Sequence, residues 1–102
     1  MNNLQWLQKW YLSQCYEDWE SDYGIKIGTL ENPGWSIKID IIYTGLENKS
    51  FEKVEIEKND NDWIHCWVKD LVFLGYCGPE NLDELIKIFR DWVENNSIFE
   101  GI

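Results

Sequence analysis

Basic residues are scarce in this chain. Arg90 is the only arginine, and eight lysines join it against 19 aspartates and glutamates, for a formal net charge of −10 over 102 residues. A phosphate backbone is held through a basic patch, so nucleic acid is not expected as a direct ligand. An anionic membrane surface is disfavoured for the same reason. No run approaches the roughly 18 apolar residues of a spanning helix. The N-terminus, MNNLQWLQKW, places no basic region ahead of an apolar stretch. No secretory signal is therefore read, and the cytoplasm is the expected location.

Cysteine is limited to Cys15, Cys66 and Cys77, with no C-x-x-C pair. An odd count without such spacing reads as small buried hydrophobes of a reducing compartment. Histidine occurs once, as His65. It adjoins Cys66 in a strand pattern, so the two side chains point to opposite faces and cannot share a metal or act as a nucleophile–base pair. Glycine-rich phosphate loops are missing. Asn59-Asp60-Asn61-Asp62 resembles the start of a calcium loop but lacks the required Gly and distal Glu. No cofactor or metal is implied, and no catalytic residue is assigned.

Aromatic residues are abundant: 7 Trp, 5 Tyr and 4 Phe in a chain that is 44% hydrophobic. A disordered acidic tail lacks the aromatics to offset ordering entropy, so a packed core is expected. The length suits one domain, residues 1–102, burying roughly 60–65% of its unfolded surface.

Apolar periodicity predicts a helix over residues 3 to about 20, with Leu4, Leu7, Tyr11, Cys15 and Trp19 as the stripe and Trp6, Trp10 and Leu12 widening it. Asn2 or Asn3 caps its start. Alternation predicts strands over 23–30 and 35–43, joined through Glu31-Asn32-Pro33-Gly34, where Pro then Gly match a type II turn. A weaker strand is read over 51–58, with Val54 and Ile56 inward, and further strands over 63–69 and 71–77. A second helix spans about 81–95, with Asn81 and Glu84 as a capping box and Leu82, Leu85, Ile86, Phe89, Trp92 and Val93 buried. A short apolar tail follows (Ile98, Phe99, Ile102). The expected class is α+β: a five-stranded antiparallel meander sheet flanked by an N-terminal and a C-terminal helix, with one sheet face left partly wet.

One constellation points to binding. Trp63, His65 and Trp67 project from one face of the 63–69 strand, with Asp60 and Asp62 at its start; aromatic anchors ringed by charge characterise protein-binding hot spots. The alternative is that the helices cover this row and Ile64, Cys66 and Val68 face out. Glu17, Asp18, Glu20 and Asp22 crowd the end of the first helix against its dipole, which hints that these carboxylates serve another purpose; the alternative is a solvated loop. A competing reading is a small cysteine-dependent enzyme at Cys77, just ahead of a helix N-terminus where thiol pKa is lowered, although Pro79 removes a donor and Glu80 repels the thiolate.

The segments Leu4-Gln5-Trp6-Leu7-Gln8-Lys9-Trp10-Tyr11-Leu12-Ser13-Gln14-Cys15, Asp18-Trp19-Glu20, Tyr23-Gly24-Ile25-Lys26-Ile27, Asn32-Pro33-Gly34-Trp35-Ser36 and Asn61-Asp62-Trp63-Ile64 together resemble the bacterial immunity protein 53 family of polymorphic toxin systems. The likeness runs over roughly residues 4 to 93. It implies a small cytoplasmic α+β protein, without catalytic residues, that binds and neutralises a cognate secreted toxin domain. A basic nuclease whose active site is blocked fits the acidic charge. The expected contact set is Trp63, His65, Trp67, Asp60, Asp62, Glu17, Asp18, Glu20 and Asp22. The chain is expected to be a monomer or weak homodimer, and an adaptor for a non-toxin partner is the remaining alternative.

Overall fold

A computed structural model describes residues 1–96. The apolar tail of Ile98, Phe99 and Ile102 lies outside the described residues. In chain order the elements are α1 (Asn3–Gln14), α2 (Trp19–Asp22), β1 (Ile25–Leu30), β2 (Gly34–Asp40), β3 (Val54–Asn59), β4 (Asp62–Lys69), β5 (Val72–Cys77) and α3 (Leu82–Asn95). The five strands form one antiparallel sheet, as expected for the α+β class, in the order β1-β2-β5-β4-β3. Sequential neighbours pair at every step but one. β2 pairs with β5, and residues 41–53 carry the chain to the far edge, where β3 begins. That long segment frees β2 from β3; the short turns at 60–61 and 70–71 hold β3, β4 and β5 as consecutive hairpins.

The core lies between one sheet face and the helices. Ile37, Ile39, Ile64, Cys66, Phe73 and Cys77 are buried from the sheet, and Leu85, Ile86, Phe89, Trp92 and Val93 from α3, as the helical periodicity predicts. Phe89 sits at the centre. Its ring lies 4.9 Å from Trp10, 5.1 Å from Phe73 and 6.1 Å from both Trp6 and Trp92, in mostly edge-on geometry. At Gly75 the sheet leaves room for Leu85 of α3. A Cβ there would lie 2.7 Å from Leu85 Cδ1 and 2.8 Å from Ile37 Cγ2.

Four local expectations change. The first helix stops at Gln14 rather than near residue 20, because Glu17 and Asp18 adopt left-handed backbone (φ 52° and 66°). This reversal drops Trp19 into the core, 4% exposed, where its Nε1–H donates to the Ile42 carbonyl at 2.9 Å. Its buried stripe is Trp6, Leu7 and Trp10, while Leu4, Tyr11 and Leu12 are exposed. Two indoles bury more apolar area than the leucines they displace. Asn2 is the cap: its Oδ1 accepts from Gln5 N–H at 2.8 Å, and Gln5 Oε1 accepts from Asn2 N–H.

The β1–β2 hairpin forms, but Gly34 is not its positive-φ residue; it opens β2, paired with Leu30. Glycine is needed there because a Cβ would stand 2.4 Å from the Cys77 carbonyl oxygen of the neighbouring strand. Ile56 faces inward opposite Ile64 as expected, but on edge strand β3 it stays 40% exposed. Asn81 precedes α3 as expected but makes no capping box. Its side chain turns to β4 instead.

Candidate functional site

Alternation along β4 decides which side chains reach solvent. Ile64 and Cys66 are buried and Val68 packs on the core, so Trp63, His65 and Trp67 stand on the open sheet face, each half-buried. Register places His65 opposite Tyr76, which in turn faces Ser36; Trp67 lies opposite Leu74, which faces Lys38 and then Lys26. Trp67 and Tyr76 rings lie 5.7 Å apart, and Trp63 and His65 rings 5.4 Å apart. His65 Nε2 is 2.8 Å from a Glu57 carboxylate oxygen. Beside it, Lys53 lies 2.6 Å from Glu55 and holds that carboxyl below the usual carboxylate range. An open groove of about 740 Å³ runs past Asn32, Glu57, Asp60, Trp63 and His65 at this corner. The face is thus an aromatic band with Glu57 and Asp60 beside Lys58 at one end and Lys38 and Lys26 toward the other.

Asn81 fixes the start of the row. Only 3% exposed, it accepts from the Trp63 N–H through Oδ1 at 3.3 Å and donates through Nδ2 to Asp62 and Glu84, both at 3.0 Å. Asp62 is therefore tied into the fold, whereas Asp60 is exposed.

The expected contact set does not come together as one patch. Glu17, Asp18, Glu20 and Asp22 lie in the α1–α2 turn and α2, which lead into the start of β1. β1 and β3 are opposite edges of the sheet, and the β3–β4 turn is at the opposite end of the strands. Five strands put about 19 Å between those edges. Only Asp60 and Asp62 neighbour the tryptophans. Sequence reading missed Tyr76 and Leu74 on the open face. The alternation of Val72, Leu74 and Tyr76 with Phe73, Gly75 and Cys77 carried that signal, but their apposition to β4 depends on register.

The cysteines are all free. Cys66 and Cys77 are buried as expected, while Cys15 is half-exposed and its thiol donates to the Tyr11 carbonyl at 3.3 Å. Burial pushes the Cys66 thiol up to about 12 and the Cys77 thiol up to about 11. That is opposite to what a nucleophilic thiolate requires. We expect alkylation of the native protein at pH 8 to modify Cys15 alone, with Cys66 and Cys77 reacting only in denaturant; rapid native labelling of Cys77 would revive the cysteine-enzyme reading. In the unfolded chain these thiols ionise near 9, whereas in the native state they stay protonated. Their contribution to stability is complete below pH 9 and is lost as pH rises toward 11–12.

Among the described residues, no group of three or more His, Cys, Asp or Glu could hold a metal ion, and no helix is long and apolar enough to cross a membrane. In comparison with known proteins, a family model described as Immunity protein 53 matches residues 4–94. No curated protein and no solved structure matches the chain.

Proposed function

The chain belongs to the immunity protein 53 family, and from that premise we propose that it neutralises one cognate toxin domain by docking on it and covering its active site. The observation that carries the reading is the open sheet face. Trp63, His65 and Trp67 stand there half-exposed, joined by Tyr76, with Glu57 and Asp60 beside them. Half-buried aromatic side chains lose little conformational entropy on docking and still have apolar area to bury, which makes them good anchors.

The net charge of −10 suits a basic toxin. A nuclease is the favoured class, since its phosphate-binding cleft would accept carboxylates in place of the nucleic-acid backbone. In this reading the protein acts in the bacterial cytoplasm within a polymorphic toxin system, and it makes and breaks no covalent bond. Charge accelerates encounter, and the buried rings slow dissociation.

The test is co-purification with the toxin domain encoded beside it. A stable complex is expected; no complex at micromolar concentrations refutes the proposal. Steering predicts that the association rate falls about tenfold or more between low and high salt, because the Debye length shrinks from about 30 Å at 0.01 M to about 3 Å at 1 M. An association rate indifferent to salt would remove the electrostatic part of the reading.

A further inference from the structure

The corner of the fold remote from the tryptophan row carries the most exposed aromatic rings of the described residues. Tyr16 is 76% and Tyr43 73% exposed. They flank a groove of about 490 Å³ whose lining includes Trp19 and Tyr23, with the carboxylates of Glu17 and Asp22 at its rim. Tyr23 and Tyr43 rings lie 6.0 Å apart, and Trp19 and Tyr23 rings 6.3 Å apart. No basic side chain lines the groove.

The groove is built before anything binds. Tyr43 has φ 62°, a left-handed conformation that a bulky side chain adopts at a cost. Its turn is held by Glu47, whose two carboxylate oxygens accept from Tyr43 N–H at 2.9 Å and Gly45 N–H at 2.7 Å. The opposite wall is set by the left-handed pair Glu17 and Asp18, and the Trp19–Ile42 hydrogen bond ties the two walls together. A strained backbone is thus fixed where two exposed tyrosines and two carboxylates line one groove.

From the rings, the carboxylates and the overall acidity, we propose that this groove receives the guanidinium group of an arginine presented by a protein partner. Aromatic faces attract a cation, and a flat, forked cation can lie against a ring while donating to carboxylates at its edge. An ammonium has neither the plane nor the fork. The partner's identity, and only that, rests on the toxin reading above: the arginine would belong to the basic toxin, gripped at a second point apart from the tryptophan row.

The test uses the full chain and no toxin. N-acetyl-arginine amide is titrated in and backbone amide shifts are followed. We expect saturable shifts confined to residues 14–23 and 41–47, with a Kd on the order of 10 mM. The neutral isostere N-acetyl-citrulline amide should leave them unmoved at the same concentrations. Tyr43→Gly suits the backbone angle and should keep or raise the melting temperature, yet weaken arginine binding at least fivefold. Tyr16→Ala on the other wall should do the same to binding. Equal shifts with citrulline, shifts spread alike over Asp60 and the remaining carboxylates, or an unchanged Kd in both variants would overturn the assignment. Failure here leaves toxin binding untouched, and failure of the toxin complex leaves these shifts as they are.

Discussion

Phe89→Ala should destabilise the native state by about 3–5 kcal/mol, the upper range for a single side-chain truncation. Phe89 is fully buried and meets Trp6, Trp10, Phe73 and Trp92, so its ring joins α1, α3 and the sheet. Three of those neighbours are indoles, rigid plates that cannot flow into the space left behind. The cost is therefore the transfer term plus a cavity that stays open. Against a typical domain stability of about 5–15 kcal/mol, such a loss leaves a marginal protein. The measurement is the urea midpoint at unchanged slope. Ile27→Ala, at a site 41% exposed on β1, is the control and should cost under about 1 kcal/mol. A loss below about 1 kcal/mol at Phe89 would show that the packing of α1, α3 and the sheet does not depend on this ring.

Trp67→Ala and Trp63→Ala should each weaken the toxin complex about thirtyfold or more, the scale of a hot-spot truncation of about 2 kcal/mol. Both rings are half-buried in the free protein, so truncation removes area that docking would finish burying. Trp67 rests on Tyr76 and Trp63 on His65, which keeps each in a defined pose before contact. The effect belongs in the dissociation rate. Asp60→Asn, on the exposed turn, should instead lower the association rate a few-fold and lose that effect in high salt. Melting temperatures of the tryptophan variants should fall only modestly, since neither ring lies in the core. Native affinity in both variants, together with a weakened complex in Tyr43→Gly, would move the docking surface to the tyrosine groove.

How much of this was legible depended on the range of the information. The faces of β2 and β4 follow from strict alternation, because strand side chains have a period of two; Ile37 and Ile39 are buried, as are Ile64 and Cys66. The α3 stripe was readable for the same reason at helical period. The choice between the two faces of β4 was not, since Trp63 and Trp67 are no less apolar than Ile64 and Cys66. It is decided by which row meets α3. The break after Gln14 was hidden because Glu17 and Asp18 carry no glycine signal for their positive φ. The tyrosine groove joins residues 14–23 to Tyr43 across β1 and β2, and no local pattern announces such a meeting. The separation of the two acidic groups likewise follows only from strand order.

That order also governs when the sheet can close. Ile37 faces Gly75, so β2 gains its second neighbour only once the last strand exists. The β1–β2 hairpin and the β3–β4–β5 meander can each nucleate locally, but joining β2 to β5 brings together strands separated by residues 41–71, with the entropic cost met before any contact rewards it. Refolding should accordingly be slower than in a helical bundle of equal length. A chain interrupted before residue 72 would leave Ile37 and Ile39 with β1 on one side and neither β5 nor α3 to shelter them, a sticky intermediate whose lifetime is set by how soon synthesis delivers β5.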